Sequence, residues 1–155
     1  MAFNFNQIVQ GLAGNMSEVD ITELSEAYKD YLLDDETVES GYKLIRDVII
    51  FTDIRILFID KQGTTGRKTS FKSIFLSQIV DVEMETAGFG IDDSEIKITY
   101  LQNIYLKPRS EKLITQTFEF PKKTEITKLY KYLLKLAIHN RQAINKLKPS
   151  SSLIN

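Results

Sequence analysis

Residues 38–60 of the chain read VESGYKLIRDVIIFTDIRILFID, and this stretch decides the fold. β-Branched and aromatic residues dominate three short runs, which the polar pairs Arg46-Asp47 and Thr52-Asp53 separate. Such runs are too short for helices and are typical of three consecutive antiparallel strands. Alternation divides the side chains between two faces, with Tyr42, Leu44, Val48, Ile50, Ile56 and Phe58 on one face and Lys43, Arg55 and Leu57 on the other. We therefore expect a curved sheet with one solvent-exposed face.

The segments after this stretch continue the β pattern and then change to a helical one. Alternating apolar positions predict four more strands, at residues 68–74, 79–85, 95–101 and 114–120. From Thr124 to about Lys148 the apolar spacing predicts a long amphipathic helix with lysines on its other faces. Its apolar stripe consists of Ile126, Leu129, Tyr130, Leu133, Leu136, Ala137, Ile144 and Leu147. A helix with such a stripe must pack on an apolar surface.

Two shorter helical patterns precede the strands. The first places Phe5, Ile8, Val9 and Leu12 at helical spacing and stops at Gly14. The second follows a capping box at residues 20–23 and carries the stripe Ile21, Leu24, Tyr28, Tyr31 and Leu32. We interpret this stripe as a surface that docks on the domain or on a partner subunit, rather than as a cofactor-binding surface.

Composition limits the class of protein. With 155 residues, of which 43% are hydrophobic, the chain is long enough for one globular domain with a buried core. It contains no cysteine, which excludes disulfides and thiolate metal sites and agrees with a reducing compartment. No apolar run approaches the roughly 20 residues that span a bilayer, and the amino terminus lacks the pattern of a signal peptide. We therefore expect a soluble, cytoplasmic protein.

The net charge of -1 hides an asymmetry between the two halves of the chain. Residues 1–96 hold 8 basic and 18 acidic residues, a net of -10, whereas residues 97–155 hold 12 and 3, a net of +9. The two halves either neutralise each other within one domain or, if the fold separates them, form a dipole suited to head-to-tail association of copies. A basic carboxyl-terminal half that binds nucleic acid or an anionic membrane is a third interpretation.

Several features superficially suggest chemistry but do not fit it. Only two residues separate Gly63 from Gly66, whereas a phosphate-binding P-loop needs four and then a helix. Residues 91–95 cluster carboxylates without EF-hand spacing. His139 is the single histidine and has no cysteine or nearby carboxylate in sequence, while Glu83 and Glu85 lie on the polar face of a strand. We therefore predict no catalytic, cofactor-binding or metal-binding residues, and the pI of about 5.9 argues against nucleic-acid binding.

Five segments together resemble a known family. They are ESGYKLIRD (39–47), VIIFTDIRILFID (48–60), QGTTGRK (62–68), FKSIF (71–75) and ETAG (85–88). With the seven strands and terminal helix, they resemble the short bacterial pleckstrin-homology (PH) family over about residues 38–148. The resemblance implies a mainly β, PH-like bent barrel of seven antiparallel strands capped by a C-terminal α-helix. Residues 1–36 would be a helical extension that departs from the family, as does Phe75 in place of proline, and residues 149–155 a frayed tail.

The resemblance also limits what we expect of function. Members of that family have no established enzyme activity and are known mainly for assembling into ring-like homo-oligomers. Eukaryotic relatives bind phosphoinositides through a basic loop between the first two strands, but here that turn is short and contains Asp47. The basic residues of this chain that remain as candidates for contact with an anion or a lipid are Lys43, Arg46, Lys61, Arg67 and Lys68. We predict a non-catalytic interaction and self-assembly module that uses its strands as the interface, with another protein as the alternative partner. The alternative function is a peripheral module that binds anionic lipid headgroups through the basic loops and helix. We do not expect this membrane binding, so self-assembly is the favoured prediction.

Overall fold

A computed structural model describes residues 21–44, 47–62, 68–89, 93–106 and 109–146 of the chain. The predicted helix near residues 5–14, Leu147 and the predicted tail lie outside these ranges. The described residues form α1 (Ile21–Ala27), β1 (Val38–Lys43), β2 (Val48–Thr52), β3 (Arg55–Gln62), β4 (Lys68–Phe75), β5 (Ile79–Glu85), β6 (Ser94–Leu101), β7 (Leu113–Phe120) and α2 (Thr127–Lys146). Two 3₁₀ turns lie at Lys29–Tyr31 and Leu76–Gln78.

The strands form two antiparallel sheets, which confirms the predicted fold class. The first sheet has the order β1-β2-β3-β4 and the second has the order β5-β6-β7. In the part of the chain that the structure describes, no ladder joins the two sheets, so they are not closed into the barrel that the resemblance implied. Side chains of both sheets and of α2 instead meet in one large hydrophobic cluster, which we call the inner core.

Aromatic rings make up much of the inner core. Tyr42 of β1 contacts Phe51 of β2 and Phe120 of β7 edge to face, with ring centroids 5.6 and 5.9 Å apart. Phe58 of β3 contacts Phe118 of β7 in the same way at 5.3 Å. The pairs of Tyr42 with Phe120 and of Phe58 with Phe118 join the two sheets, and each such pair adds roughly 0.5–1.5 kcal/mol to the burial of the rings.

The predicted faces of the first sheet are partly wrong. Val48 and Ile50 do not share a face with Tyr42, because Tyr42 pairs across the turn with Ile49, and cross-strand neighbours lie on the same face. Ile49 and Phe51 therefore face the inner core, whereas Val48 and Ile50 face the opposite side. All five residues of β2 are buried, so the prediction that one face of these three strands is exposed to solvent is also wrong.

The amino-terminal segment covers this second side. Leu24 of α1 belongs to a smaller cluster, the outer cluster, with Val38, Val48, Ile50, Leu57 and Ile59, and Tyr28 and Leu32 pack against it. Leu24 lies directly over Gly41 of β1, where a Cβ atom would overlap the Leu24 Cδ1 atom. Three of the five predicted stripe residues therefore dock on the domain, while Ile21 and Tyr31 remain exposed.

Helix α2 packs on the inner core, as its stripe predicts. Leu129, Leu133, Leu136 and Ala137 are buried, and so are Tyr132 and Asn140, which the sequence pattern did not identify. The predicted cap at Thr124 is wrong, because the helix begins at Thr127, whose amide donates to the Glu125 carboxylate at 2.7 Å.

Candidate functional site

Arg55, the first residue of β3, fixes the amino-terminal segment on the first sheet. Its Nε and Nη2 donate to the two carboxylate oxygens of Glu36 at 2.7 and 2.8 Å. Nη2 also donates to the Tyr31 carbonyl oxygen and Nη1 to the Ser73 Oγ, each at 2.7 Å. We call this group the Arg55 clamp. It joins the segment before β1 to strands β3 and β4 through one guanidinium, whose planar fork suits a bidentate carboxylate.

The Glu36 carboxylate is stabilised in its ionised form although it is buried. The Glu36 side chain has no exposed surface, and that of Arg55 is 14% exposed. Burial alone would raise the pKa of Glu36, but the hydrogen bonds from Arg55 and from the Leu33 amide outweigh it and lower that pKa below its ordinary value. The ion pair also raises the pKa of Arg55, so both groups are charged at neutral pH.

The lowered pKa predicts a pH dependence of stability. Because folding lowers the pKa of Glu36 below its unfolded value of about 4.3, its contribution is complete above that pH and is lost as the pH falls through the folded pKa. We expect the difference in free energy of unfolding between wild type and Glu36→Gln to shrink below about pH 4, measured by urea denaturation. The control Glu23→Gln removes an exposed carboxylate of α1 and should stay within about 0.5 kcal/mol of wild type. If the free energy of unfolding of the wild type exceeds that of Glu36→Gln by the same amount from about pH 7 to about pH 3, the pKa of Glu36 is not lowered by folding.

An exposed apolar surface lies beside the Arg55 clamp. Strand β4 is an edge of the first sheet, and its Phe71 and Phe75 project from the same side as the outer cluster, because they pair with Ile59 and Arg55. The Tyr31 ring stacks on Phe71 with centroids 4.0 Å apart and planes 20° apart. Tyr31, Leu33, Phe71 and Phe75 are between 37% and 58% exposed, and we call them the aromatic patch.

The sequence pattern did not identify this patch or the clamp. The apolar residues of β4 alternate only weakly, because Ile74 faces the inner core while Phe71 and Phe75 lie on the other side. That mixture of apolar residues on both sides was the available signal. Alternation placed Arg55 only on one face of the predicted sheet, and its partner Glu36 lies in the predicted extension.

Of the three basic candidates that the structure describes, two lie on one side of the first sheet and one on the other. Lys43 pairs with Val48 and Lys61 with Thr69, on the side of the outer cluster, whereas Lys68 pairs with Gln62 on the opposite side of the sheet. All three described side chains are exposed. Arg46 and Arg67 lie outside the described residues.

A cleft of about 440 Å³ opens between the first sheet and β7 and is acidic. Asp47, Asp60 and Glu119 line it together with Phe58 and Phe118, and none of the lining residues that the structure describes is a lysine or an arginine. These described carboxylates repel an anion such as a phosphate-bearing headgroup.

Other chemical sites receive no support from the described ranges. They contain no group of three or more histidine, aspartate or glutamate side chains that could hold a metal ion. His139 is exposed on α2, and the exposed Glu83 pairs with Lys97 at 3.3 Å. None of the described helices is both long and apolar enough to cross a lipid bilayer.

Comparison with known sequences decides the family. The family model described as Bacterial PH domain matches residues 7–137. This chain belongs to the bacterial PH domain family. Since the match begins at residue 7, the helical segment before the strands of this bacterial PH domain lies inside the matched region. The expectation that the segment departs from the family is therefore wrong.

Relatives of this bacterial PH domain support the same assignment. The uncharacterized protein YjqA of Bacillus subtilis (strain 168) is 46% identical over 90 residues, which span 58% of this chain and 72% of YjqA. A pleckstrin homology domain from Shewanella amazonensis SB2B is 32% identical, with 83% of this chain and 97% of that chain covered and a TM-score of 0.61. A DUF1696 family protein with a pleckstrin-homology domain, from Shewanella loihica PV-4, is 30% identical, with 81% and 99% covered and a TM-score of 0.58.

Proposed function

We propose that this bacterial PH domain is a non-catalytic interaction module that assembles with copies of itself. The aromatic patch along the edge strand β4 is the observation that carries this proposal. Contiguous exposed apolar surfaces with polar surroundings mark interaction sites, because their burial in an assembly releases water. An edge strand adds unpaired backbone groups that a second chain can contact.

The patch is held in a fixed geometry before any partner arrives. Tyr31 is fixed twice, by the stacking of its ring on Phe71 and by the hydrogen bond from Arg55 to its carbonyl oxygen. Leu33 is fixed through its amide, which donates to Glu36 at 3.0 Å. Because these side chains need little further ordering, their burial against a partner would lose little conformational entropy.

The charge distribution supports oriented association. Five acidic residues of the segment over the outer cluster are exposed, namely Glu23, Glu26, Asp30, Asp34 and Asp35. The exposed lysines Lys131, Lys135 and Lys146 lie on α2, which packs on the inner core at the other side of the first sheet. The ion pairs Arg141–Asp81, between α2 and the second sheet, and Lys97–Glu83, within that sheet, neutralise part of the charge asymmetry. Opposite charges that remain on different sides would steer copies toward one orientation.

Light scattering coupled to gel filtration tests the proposal. We expect the wild-type chain to be oligomeric at micromolar concentration, and Phe71→Ser/Phe75→Ser to weaken association by tenfold or more, in the range of interface hot spots. The control Phe89→Ser removes an equally large exposed ring outside the patch and should leave the mass unchanged. Circular dichroism checks that each variant folds. A monomeric wild-type chain, or equal masses for wild type and the double variant, would contradict the proposal.

A further inference from the structure

The loop between β6 and β7 presents a second apolar surface. Ile104 and Tyr105 are 91% and 77% exposed, which makes them two of the most exposed large apolar side chains among the described residues. The exposed Arg109 and Lys112 follow them in the same loop. We call these four side chains the loop tip; the backbone of Lys112 belongs to the base of the loop. A large apolar side chain with almost no contacts in its own chain is a common feature of a docking element.

Hydrogen bonds hold the base of this loop in place. The Asn103 Oδ1 accepts from the Lys112 amide at 2.7 Å, and the Gln102 amide donates to the Lys112 carbonyl oxygen at 2.7 Å. The Gln78 Nε2 donates to the Asn103 carbonyl oxygen at 2.9 Å, which ties the loop to the connection between β4 and β5. The tip is therefore presented by a closed base, and its docking costs less ordering than that of an open loop.

The loop tip and the aromatic patch are complementary in charge and share apolar character. The tip combines two apolar side chains with two cations, which outnumber the one exposed carboxylate between them, Glu111. The patch combines four apolar side chains with the exposed carboxylates Asp34 and Asp35 beside Leu33. Both surfaces are exposed in a single copy. A lipid bilayer would satisfy the cations and apolar side chains of the tip but would leave the acidic aromatic patch unused.

We propose that Ile104 and Tyr105 of one copy dock on the aromatic patch of a second copy, with Arg109 and Lys112 facing Asp34 and Asp35. This docking presupposes the self-association proposed above and names its two surfaces. Because the surfaces differ, the interface is heterologous, and its repetition gives a ring if the rotation between copies closes and a filament if it does not.

Exchange of charges between the two surfaces tests this docking by gel filtration with light scattering. We expect Arg109→Glu/Lys112→Glu and Asp34→Lys/Asp35→Lys each to weaken association by about tenfold or more, because like charges then meet. An equimolar mixture of the two double variants should assemble again, since the altered, acidic tip of the first variant then meets the altered, basic patch of the second, while the unaltered tip of the second meets the unaltered patch of the first. The quadruple variant that carries all four changes should also assemble.

A matched control separates specific pairing from net charge. The combination of Asp34→Lys/Asp35→Lys with Lys131→Glu/Lys135→Glu has the same net charge as the quadruple variant but reverses lysines of α2 instead of the loop, so it should not assemble. Its assembly would overturn the docking. The two loop-tip variants Arg109→Glu/Lys112→Glu and Ile104→Ser/Tyr105→Ser also separate the docking from self-association. If both keep the wild-type mass while the patch variant Phe71→Ser/Phe75→Ser loses it, the docking is wrong and self-association stands. A monomeric wild-type chain overturns both.

Discussion

Replacement of Glu36 by alanine is expected to lower the free energy of unfolding by about 3–5 kcal/mol, because it leaves the Arg55 guanidinium mostly buried without a counter-charge. Glu36 supplies both acceptors of the bidentate pair, and its loss leaves only the Tyr31 carbonyl and Ser73 hydroxyl oxygens as partners in the clamp. The larger part of the effect is therefore the cost of an unpaired buried charge rather than the strength of the ion pair itself.

Urea denaturation of the wild type and Glu36→Ala measures this difference. The control Glu26→Ala breaks the ion pair of Glu26 with Lys29, whose side chains are 73% and 61% exposed, and should change stability by less than about 1 kcal/mol. The double variant Glu36→Ala/Arg55→Met should recover part of the loss, since it removes the stranded charge. A loss below about 1 kcal/mol for Glu36→Ala would show that the clamp is not a buried pair in solution.

Asn140→Leu is expected to cost about 1–3 kcal/mol, because it removes the side-chain donor of two buried carbonyl oxygens, of which that of Leu76 keeps the Ile79 amide as a donor. The Asn140 amide donates to the carbonyl oxygens of Leu76 and Ile79, each at 2.7 Å, and the residue is buried in α2. Leucine is close to asparagine in size but donates no hydrogen bond, so the change isolates the loss of polar pairing.

The same denaturation experiment with Asn145→Leu is the control. Asn145 lies on the same helix but is exposed, so its replacement should stay within about 0.5 kcal/mol of wild type. A loss for Asn140→Leu no larger than that for Asn145→Leu would mean that water satisfies both carbonyl groups. Since Asn140 fixes α2 on the connection that carries Gln78, its loss should also loosen the base of the β6–β7 loop. Faster amide exchange at Lys112 would report this effect.

Strands with a charged residue at every second position could be placed from the sequence. The bounds of β5 coincide with the prediction, because Asp81 and Glu83 alternate with the apolar Val82 and Met84, and only one register keeps the charges in water. The same reasoning failed in β2, where every residue is apolar or threonine. With both sides buried, alternation carried no information there, and the turn after β1 decided which residues face the inner core.

The sequence by itself therefore determined the family, the number and order of strands and the amphipathic terminal helix, because these depend on patterns between near neighbours in the chain. Only the tertiary structure decided that Arg55 binds Glu36, 19 residues earlier, and that Phe71 of the edge strand stacks with Tyr31 of the amino-terminal segment. The same holds for Asn140, which donates to carbonyl groups more than 60 residues away. Such contacts form between distant segments, and whether a polar group is buried with its partner depends on how those segments pack.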